Sequence, residues 1–343
     1  MLSSKNKKRT LKRNLLIFSL TVFLLLAPVL NAEAARSFTD MMGREITVPE
    51  KVDRIVTTYK SATQFVLALD AGDKLVGVSV KTDKQPLFVS LQPELAELPQ
   101  VGSKRNGINL ETTLNVDPDL VILYPHRDAL ATAEKLEEQG VSALIINPES
   151  LSQIRETTKL LAEVLNKEKQ AEEVLAAYNR IDSLTEKTAA LPEAEKKEIY
   201  FANSEFTDSV GAEMMQTALI EKSGGINPAA ELKSGFITVS AENILEWNPE
   251  LVIVSQYFNG DLDRLAQENK YQNIKAFKNK ELYRVPSKLE PWDFPSPSTF
   301  IAQLWLAQKA YPAEYKNLDY QKEVNEFYQN LYGKTFEELG GEF

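Results

Sequence analysis

Eight residues of the sequence carry side chains suited to binding an anionic organic solute. Four are basic and four are aromatic, and each is expected just beyond a strand or in a Pro-rich loop: Tyr59, Lys60, Arg105, Tyr124, His126, Arg127, Tyr257 and Trp292. Guanidinium groups pair with carboxylate or catecholate oxygens, and aromatic rings add apolar and cation–π contacts. The pattern indicates a cleft with bases on one side and rings on the other, which suits a bulky anionic chelate.

Catalysis and a resident cofactor receive little support from the sequence. The chain has one His and no Cys, which excludes thiolate metal sites, thiol nucleophiles and metal sites built from several His. We therefore expect no cofactor, no metal site and no enzymatic activity. A secreted two-domain hydrolase that uses a carboxylate pair is the alternative from another class, because 49 acidic residues leave many pairs possible.

The first 34 residues have the pattern of a secretory signal peptide. Six basic residues precede an apolar run, and Ala32 and Ala34 then form an A-x-A arrangement, which predicts cleavage after Ala34. An uncleaved membrane anchor is the alternative. Without Cys there is no site for lipid attachment, so we expect a periplasmic protein that is not a lipoprotein. The remaining chain has 33 basic and 48 acidic residues, a net charge of −15, which argues against nucleic acid as a partner.

Strands and helices are expected to alternate in two halves of the chain. Between the halves, residues 151–190 contain neither Pro nor Gly and predict long helices, the second from about Lys167 to Ala190. The expected fold class is α/β, with two Rossmann-like parallel α/β lobes joined by a single long backbone helix. The predicted boundaries are 35–165 for the first lobe, 166–192 for the connecting helix and 193–343 for the second lobe.

One short unit occurs twice, once in each half. "ETTLNVDPDLVIL" begins at Glu111 and "ENILEWNPELVIV" begins at Glu242, and six of the thirteen positions are identical without a gap. Asn109 and Ser240 are suitable N-caps, which places both glutamates in the first turn of a helix. The helix dipole favours a glutamate in the first turn, so this position by itself does not require a function. Two such glutamates would also suit a partner with two-fold symmetry.

The chain resembles the class III periplasmic substrate-binding proteins of ABC importers. The segments that carry the resemblance are "VDRIVTTYKSATQFVLALDAGDKLVGVS", "VGSKRNGINLETTLNVDPDLVILY", "GGINPA", "VSAENILEWNPELVIVS" and "EPWDFPSPSTFIAQLWLAQKAYP". The resemblance implies a monomer that delivers a small-molecule metal chelate to a permease dimer. It also implies that Glu111 and Glu242 form salt bridges with arginines of the two permease subunits.

The identity of the solute stays open at this point. A ferric siderophore is the first expectation. Haem is an alternative, with Tyr59, Tyr124 or His126 as axial ligand, as are a corrinoid and an oxyanion such as molybdate or tungstate.

Overall fold

A computed structural model describes residues 35–103, 107–125, 128–232, 235–286 and 288–343. The expected signal peptide, residues 1–34, lies outside the described residues. Arg36–Phe343 forms one compact unit. Within the described ranges, no helix is both long enough and apolar enough to cross a membrane.

The first half of the chain builds one parallel sheet with helices on its faces. Its strands are β1 (Ala35–Thr39), β2 (Glu45–Pro49), β3 (Ile55–Thr57), β4 (Leu75–Gly77), β5 (Gly102–Ser103), β6 (Gly107–Ile108), β7 (Leu120–Leu123) and β8 (Ser142–Ile145). Its helices are α1 (Lys60–Ala68), α2 (Pro86–Leu91), α3 (Leu110–Asn115), α4 (Ala129–Glu138) and α5 (Leu151–Leu165). The four-stranded parallel sheet has the order β4-β3-β7-β8, while β1-β2 and β5-β6 are separate pairs.

The second half begins with α6 (Glu168–Ala189) and then repeats the plan. Its strands are β9 (Lys197–Ala202), β10 (Asp208–Val210), β11 (Gly225–Ile226), β12 (Phe236–Thr238), β13 (Leu251–Val254) and β14 (Leu282–Arg284). Its helices are α7 (Met215–Ser223), α8 (Ala241–Trp247), α9 (Leu262–Ala266), α10 (Lys275–Asn279), α11 (Phe300–Ala310) and α12 (Tyr320–Tyr332). The parallel sheet has the order β11-β9-β13-β14, and β10 pairs with β12.

Short 3₁₀ turns complete the connections. They lie at Gly72–Lys74, Thr82–Lys84, Pro93–Glu97, Glu193–Glu195, Pro228–Glu231, Asn269–Tyr271 and Pro297–Thr299.

The duplicated unit occupies the same place in both sheets. The unit that begins at Glu111 is α3 followed by β7, and the unit that begins at Glu242 is α8 followed by β13. Each strand is third in its sheet order. The predicted fold class of two parallel α/β lobes is therefore confirmed.

Each sheet is buried on both faces, which explains the unbroken apolar runs "LVIL" and "LVIV". Successive strand residues point to opposite faces. In β7, Leu120 and Ile122 join the large core cluster that contains residues from both halves, whereas Val121 packs in a smaller cluster on the other face. In β13, Ile253 joins the large cluster and Val252 a third one. One continuous core thus links the two lobes.

The helix predicted between the lobes is α6, 22 residues from Glu168 to Ala189. It spans roughly 33 Å at 1.5 Å per residue. Its buried face includes Val174, Tyr178 and Ile181, all within the large core cluster. Because both lobes bury apolar side chains against this helix, it is part of the core rather than a flexible linker.

Candidate functional site

Lys60 is the central basic residue of the candidate site. Strand β3 ends at Thr57, Tyr59 is the N-cap of α1, and Lys60 is the first helical residue. The carboxyl ends of parallel strands form one edge of the sheet, so this turn faces the gap between the lobes. The ammonium group of Lys60 is therefore carried by a buried strand and a buried helix.

A segment of the second half, residues 290–296, packs along the first turns of α1. Lys60 Nζ lies 3.7 Å from the centroid of the Phe294 ring. Ser61 Oγ donates to the carbonyl oxygen of Pro295 at 2.5 Å. One turn later, Gln64 Nε2 donates to Glu290 Oε2. Three successive contacts thus join this segment, which we call the 290–296 segment, to the helix that carries Lys60.

The loop after β13 supplies the second wall. Lys60 Nζ donates to Tyr257 Oη, and it lies 5.1 Å from the centroid of that ring. The Arg284 guanidinium donates to the carbonyl oxygens of Ser255 at 3.2 Å, Phe258 at 3.0 Å and Gly260 at 2.8 Å. A planar fork of donors suits several carbonyls at once. Arg284 therefore fixes the loop that presents Tyr257.

Asp293 ties these two walls to each other. Its Oδ2 accepts hydrogen bonds from Ser255 Oγ at 2.5 Å and from the Gln256 amide at 3.3 Å. Ser255 Oγ accepts in turn from the Tyr257 amide at 3.0 Å. Asp293 Oδ1 is buried and has no hydrogen-bond partner among the described residues. The 290–296 segment and the Tyr257 loop are therefore held in a common geometry.

Burial changes the pKa of the charged groups here. It lowers the pKa of Lys60 to about 8, against the attraction of Asp293 and Glu290. It raises the pKa of Glu290 to about 7, although hydrogen bonds from Ser298 and Tyr328 oppose the rise. Burial also raises the pKa of Asp293. Among the described residues, the site thus sets one ammonium group against two carboxyl groups, and the carboxyl of Glu290 titrates near neutral pH.

Aromatic rings line the first-lobe side of the site. The rings of Tyr59 and Tyr124 have centroids 4.4 Å apart, and those of Tyr59 and Phe294 are 5.7 Å apart. Burial raises the pKa of the Tyr59 phenol further above its usual value, with a smaller contribution from Glu149. Tyr59 is consequently neutral at physiological pH and acts as a hydrogen-bonding and stacking group.

The structure brings together four of the eight predicted solute-binding residues: Tyr59, Lys60, Tyr124 and Tyr257. Tyr124 is only 2% exposed, so its ring supports Tyr59 from behind. Tyr257 is 48% exposed and offers an open ring. Arg105, His126 and Arg127 lie outside the described residues.

Trp292 is placed differently from the prediction. It is 2% exposed, its ring packs 5.7 Å from that of Phe336, and its Nε1 donates to Tyr328 Oη at 2.8 Å. Trp292 belongs to the core in this structure, and its neighbour Asp293 takes the place nearer to Lys60. The polar indole nitrogen has a buried partner, which stabilises this inward orientation.

Four residues of the site are not among the eight predicted to bind the solute: Arg284, Glu290, Asp293 and Phe294. Three of them belong to "EPWDFP", where acidic and aromatic residues sit within a Pro-rich loop. That composition is the signal that marks the segment. Arg284 carries no such signal, because an arginine at the end of a strand is usually exposed.

The two repeated glutamates are exposed, each in the first turn of its helix. Asn109 Oδ1 caps α3 by accepting from the Thr112 amide at 3.0 Å. Ser240 Oγ caps α8 by accepting from the Asn243 amide at 3.1 Å. The backbone amide of Glu242 itself, and then Ser240, lower the pKa of the Glu242 carboxyl. The predicted caps are confirmed, and both units present a carboxylate to solvent.

The fold agrees with comparisons to known proteins. Residues 55–289 match the family described as "Periplasmic binding protein", and the chain belongs to this family of class III substrate-binding proteins of ABC importers. The molybdate-binding protein MolA of Haemophilus influenzae is 26% identical over 329 residues, 89% of this chain and 93% of MolA. A vitamin B12-binding protein of Vibrio parahaemolyticus is 26% identical over 255 residues, 74% of this chain and 87% of that protein.

Solved structures show the same architecture. MolA with bound molybdate superposes with a TM-score of 0.76 at 25% identity, over 88% of this chain and 98% of that chain. A periplasmic solute-binding protein from Veillonella parvula superposes with a TM-score of 0.77 at 24% identity, over 88% of this chain and 94% of that chain. The relatives named here are binding proteins.

Proposed function

We propose that this protein captures an anionic solute between its lobes, with Lys60 as the principal anchor, and delivers it to an ABC importer. The contact of Lys60 with both walls of the second lobe carries the proposal. Lys60 Nζ is bonded to Tyr257 Oη and lies 3.7 Å from the Phe294 ring centroid. A partly buried ammonium group favours an anion, because electrostatic attraction is stronger where water is partly excluded.

A compact oxyanion of the molybdate type is the first candidate solute. The side chains of Lys60, Tyr257 and Phe294 already meet across the gap, so little space separates the lobes at this point. A small anion needs only a few donors, here an ammonium group and the neighbouring hydroxyl. The similarity to molybdate-binding MolA over 89% of the chain supports the same choice.

A ferric siderophore, the first expectation from the sequence, is the second candidate. The open ring of Tyr257, 48% exposed, favours it by offering contact to an organic periphery. Arg105 and Arg127 would add bidentate partners for carboxylate or catecholate oxygens. A bulky chelate would require Lys60 to leave Tyr257 and the two walls to separate.

Export and docking complete the proposal. Residues 1–34 act as a cleaved signal peptide, and the protein works as a periplasmic monomer without a lipid anchor. Glu111 and Glu242, one exposed carboxylate per lobe on equivalent helices, bind basic residues of a permease dimer. Equivalent docking elements on two lobes match two equivalent subunits, which gives the repeat a physical purpose.

Calorimetric titration with molybdate, tungstate, a ferric catecholate, cobalamin and haem tests the ligand. We expect molybdate and tungstate to bind with one site per chain. The variant Lys60→Met removes the charge and keeps the length, so binding should weaken roughly 30-fold or more.

Lys309→Met is the matched control. Lys309 also lies over a tyrosine ring, 5.0 Å from the centroid of Tyr283, but in the last turn of α11. This variant should bind as the unchanged protein does. Full binding by Lys60→Met would refute the anchor role, and saturation by the ferric catecholate alone would move the assignment to a siderophore.

A further inference from the structure

Two buried carboxyl groups of the 290–296 segment lie beside Lys60. Glu290 is 4% exposed and Asp293 is 5% exposed. Gln64, which donates to Glu290 Oε2, is four residues after Lys60 in the same helix. Side chains four residues apart in a helix are neighbours, about 5–6 Å between Cβ atoms. Glu290 therefore sits within one helical turn of the lysine proposed to hold the solute.

Asp293 belongs to the same segment as Glu290 and also interacts with Lys60. It immediately precedes Phe294, whose ring centroid is 3.7 Å from Lys60 Nζ. Only one of its oxygens, Oδ2, has hydrogen-bond donors, from Ser255 and the Gln256 amide. The buried Oδ1 has no partner within the described parts of the chain. An ionised carboxylate with a bare buried oxygen is costly, which favours a carboxyl that can take a proton.

The balance of charge has a direct consequence for an incoming anion. In the described parts of the chain, a single ammonium group faces two carboxyl groups, so with all three ionised these groups together have a net negative charge. An anion brought to Lys60 would then meet two like charges in a water-poor site. The repulsion is relieved when a proton is bound by the cluster.

We propose that Glu290 and Asp293 are specificity-determining residues that couple capture of an anion at Lys60 to uptake of a proton by this cluster. The inference rests on the proposed function. It deepens that function by naming the substrate class, an anion that is bound together with a proton. Cations and neutral solutes would gain nothing from the coupling.

The pKa values support the direction of the coupling. Before binding, burial sets the pKa of Lys60 to about 8 and that of Glu290 to about 7. A nearby anion raises the pKa of each group, because it favours the more positive form. Between pH 7 and 8 both groups are partly deprotonated without the anion, so binding takes up protons and weakens as pH rises.

Lys60, Glu290 and Asp293 form the cluster, and the other titratable groups that face it within the described parts of the chain are tyrosines. Tyr257 and Asp293 interact with each other and with Lys60. The groups that interact with Glu290 are Lys60 from α1, Tyr178 from α6, and Tyr328 and Tyr332 from α12. The pKa of every one of these tyrosines is raised, so they stay neutral at pH 7 to 8 and add no competing charge.

Calorimetry with sodium molybdate tests the coupling in two buffers of different ionisation enthalpy. At pH 7.5 the purified protein should take up a measurable fraction of a proton per molybdate bound. The dissociation constant should rise between pH 6.5 and 8.5, towards about tenfold per pH unit for each proton coupled. A heat that is independent of the buffer, with an affinity independent of pH, would overturn the proposal.

The variants Glu290→Gln and Asp293→Asn assign the proton. Each removes one repelling charge, so each should bind molybdate several-fold more tightly at pH 8 and take up less proton. Glu323→Gln is the matched control, a buried carboxyl paired with Arg180 away from the cluster. It should leave both quantities unchanged. Weaker binding by both cluster variants, with an unaltered pH profile, would contradict the inference.

A measurement without solute separates this inference from the proposed function. If molybdate does not bind the unchanged protein, the first candidate solute of the proposed function is wrong. The cluster is then judged by ¹³C NMR titration of the Glu290 carboxyl, assigned by comparison with Glu290→Gln. A midpoint near pH 7 supports proton uptake by the cluster, whereas a midpoint below about 5, the ordinary range for Glu, overturns it.

Discussion

Lys60 combines three kinds of interaction. Its ammonium group donates to a phenol, lies over a phenylalanine ring and is attracted by two buried carboxyls. None of these partners is an ionised group within 4.0 Å, because no salt bridge of Lys60 is found in the described ranges. A lysine whose close partners are a phenol and an aromatic ring can exchange them for an anion at a low cost in free energy.

Arg284 determines how firmly the Tyr257 loop is held. In Arg284→Lys a single ammonium group replaces the fork that serves four carbonyl oxygens, so hydrogen bonds to Phe258 and Gly260 are lost. We expect the free energy of unfolding to fall by about 2 kcal/mol, the value of a charged hydrogen bond. Urea unfolding measures this fall, and titration should show weaker solute binding because Tyr257 is less well placed.

Arg264→Lys is the control for this substitution, since Arg264 is exposed on α9. It should leave unfolding and binding unchanged. An Arg284→Lys protein as stable as the unchanged one would mean that the loop does not depend on the guanidinium fork.

The sequence predicted the residues at strand ends better than those in the loop. Lys60 and Tyr257 follow buried strands, whose direction is dictated by their apolar runs. Trp292 lies in a Pro-rich loop without periodicity, so nothing local indicates which way its ring points. Glu290 is hydrogen-bonded to Gln64 and Tyr328. Both lie more than 30 residues from it along the chain, so its burial could not be predicted from neighbouring residues.

The repeated helix–strand unit works at the scale of elements. In both halves a capped short helix leads into the third strand of the sheet, with its glutamate in the first turn. The N-terminal end of a helix favours a negative charge, which suits an exposed glutamate at this position. Two fixed anionic points on equivalent elements suit recognition by two equivalent basic surfaces.

Charge reversal at both points tests the docking role. The double variant Glu111→Lys/Glu242→Lys should abolish solute uptake by cells that carry the cognate importer, because two attractive contacts become repulsive. Solute binding by the purified variant should be unchanged, since both residues lie on short helices outside the Lys60 cluster.

The matched control is Glu134→Lys/Glu221→Lys. It changes the charge by the same amount at two exposed glutamates on other helices, one in each lobe. Uptake should persist in the control. Normal uptake by Glu111→Lys/Glu242→Lys would show that the two glutamates only favour the first turn of their helices and do not dock the permease.

Element boundaries followed from local signals with small errors. The long helix expected from about Lys167 to Ala190 is observed as Glu168–Ala189, and the predicted caps Asn109 and Ser240 accept the expected amides. Helix caps and apolar periods are local properties, which explains the agreement. The pairing of strands is non-local, so the order of strands in the two sheets was not predicted from the sequence.

At the scale of the whole molecule, one core cluster continues from the first lobe through α6 to the second. Opening the gap by a large angle would expose part of this apolar surface, at about 25 cal/mol for each Å². The lobes are therefore expected to move little, and the solute must enter by local exchange of the Lys60, Tyr257 and Phe294 contacts.

Anomalous diffraction from crystals soaked in molybdate tests the central claim most directly. The account predicts one molybdenum peak per chain between the lobes, with an oxygen about 3 Å from Lys60 Nζ, and loss of that peak in Lys60→Met. A peak elsewhere on the molecule, or the same peak retained in Lys60→Met, would contradict the assignment of Lys60 as the anchor of an interlobe anion site.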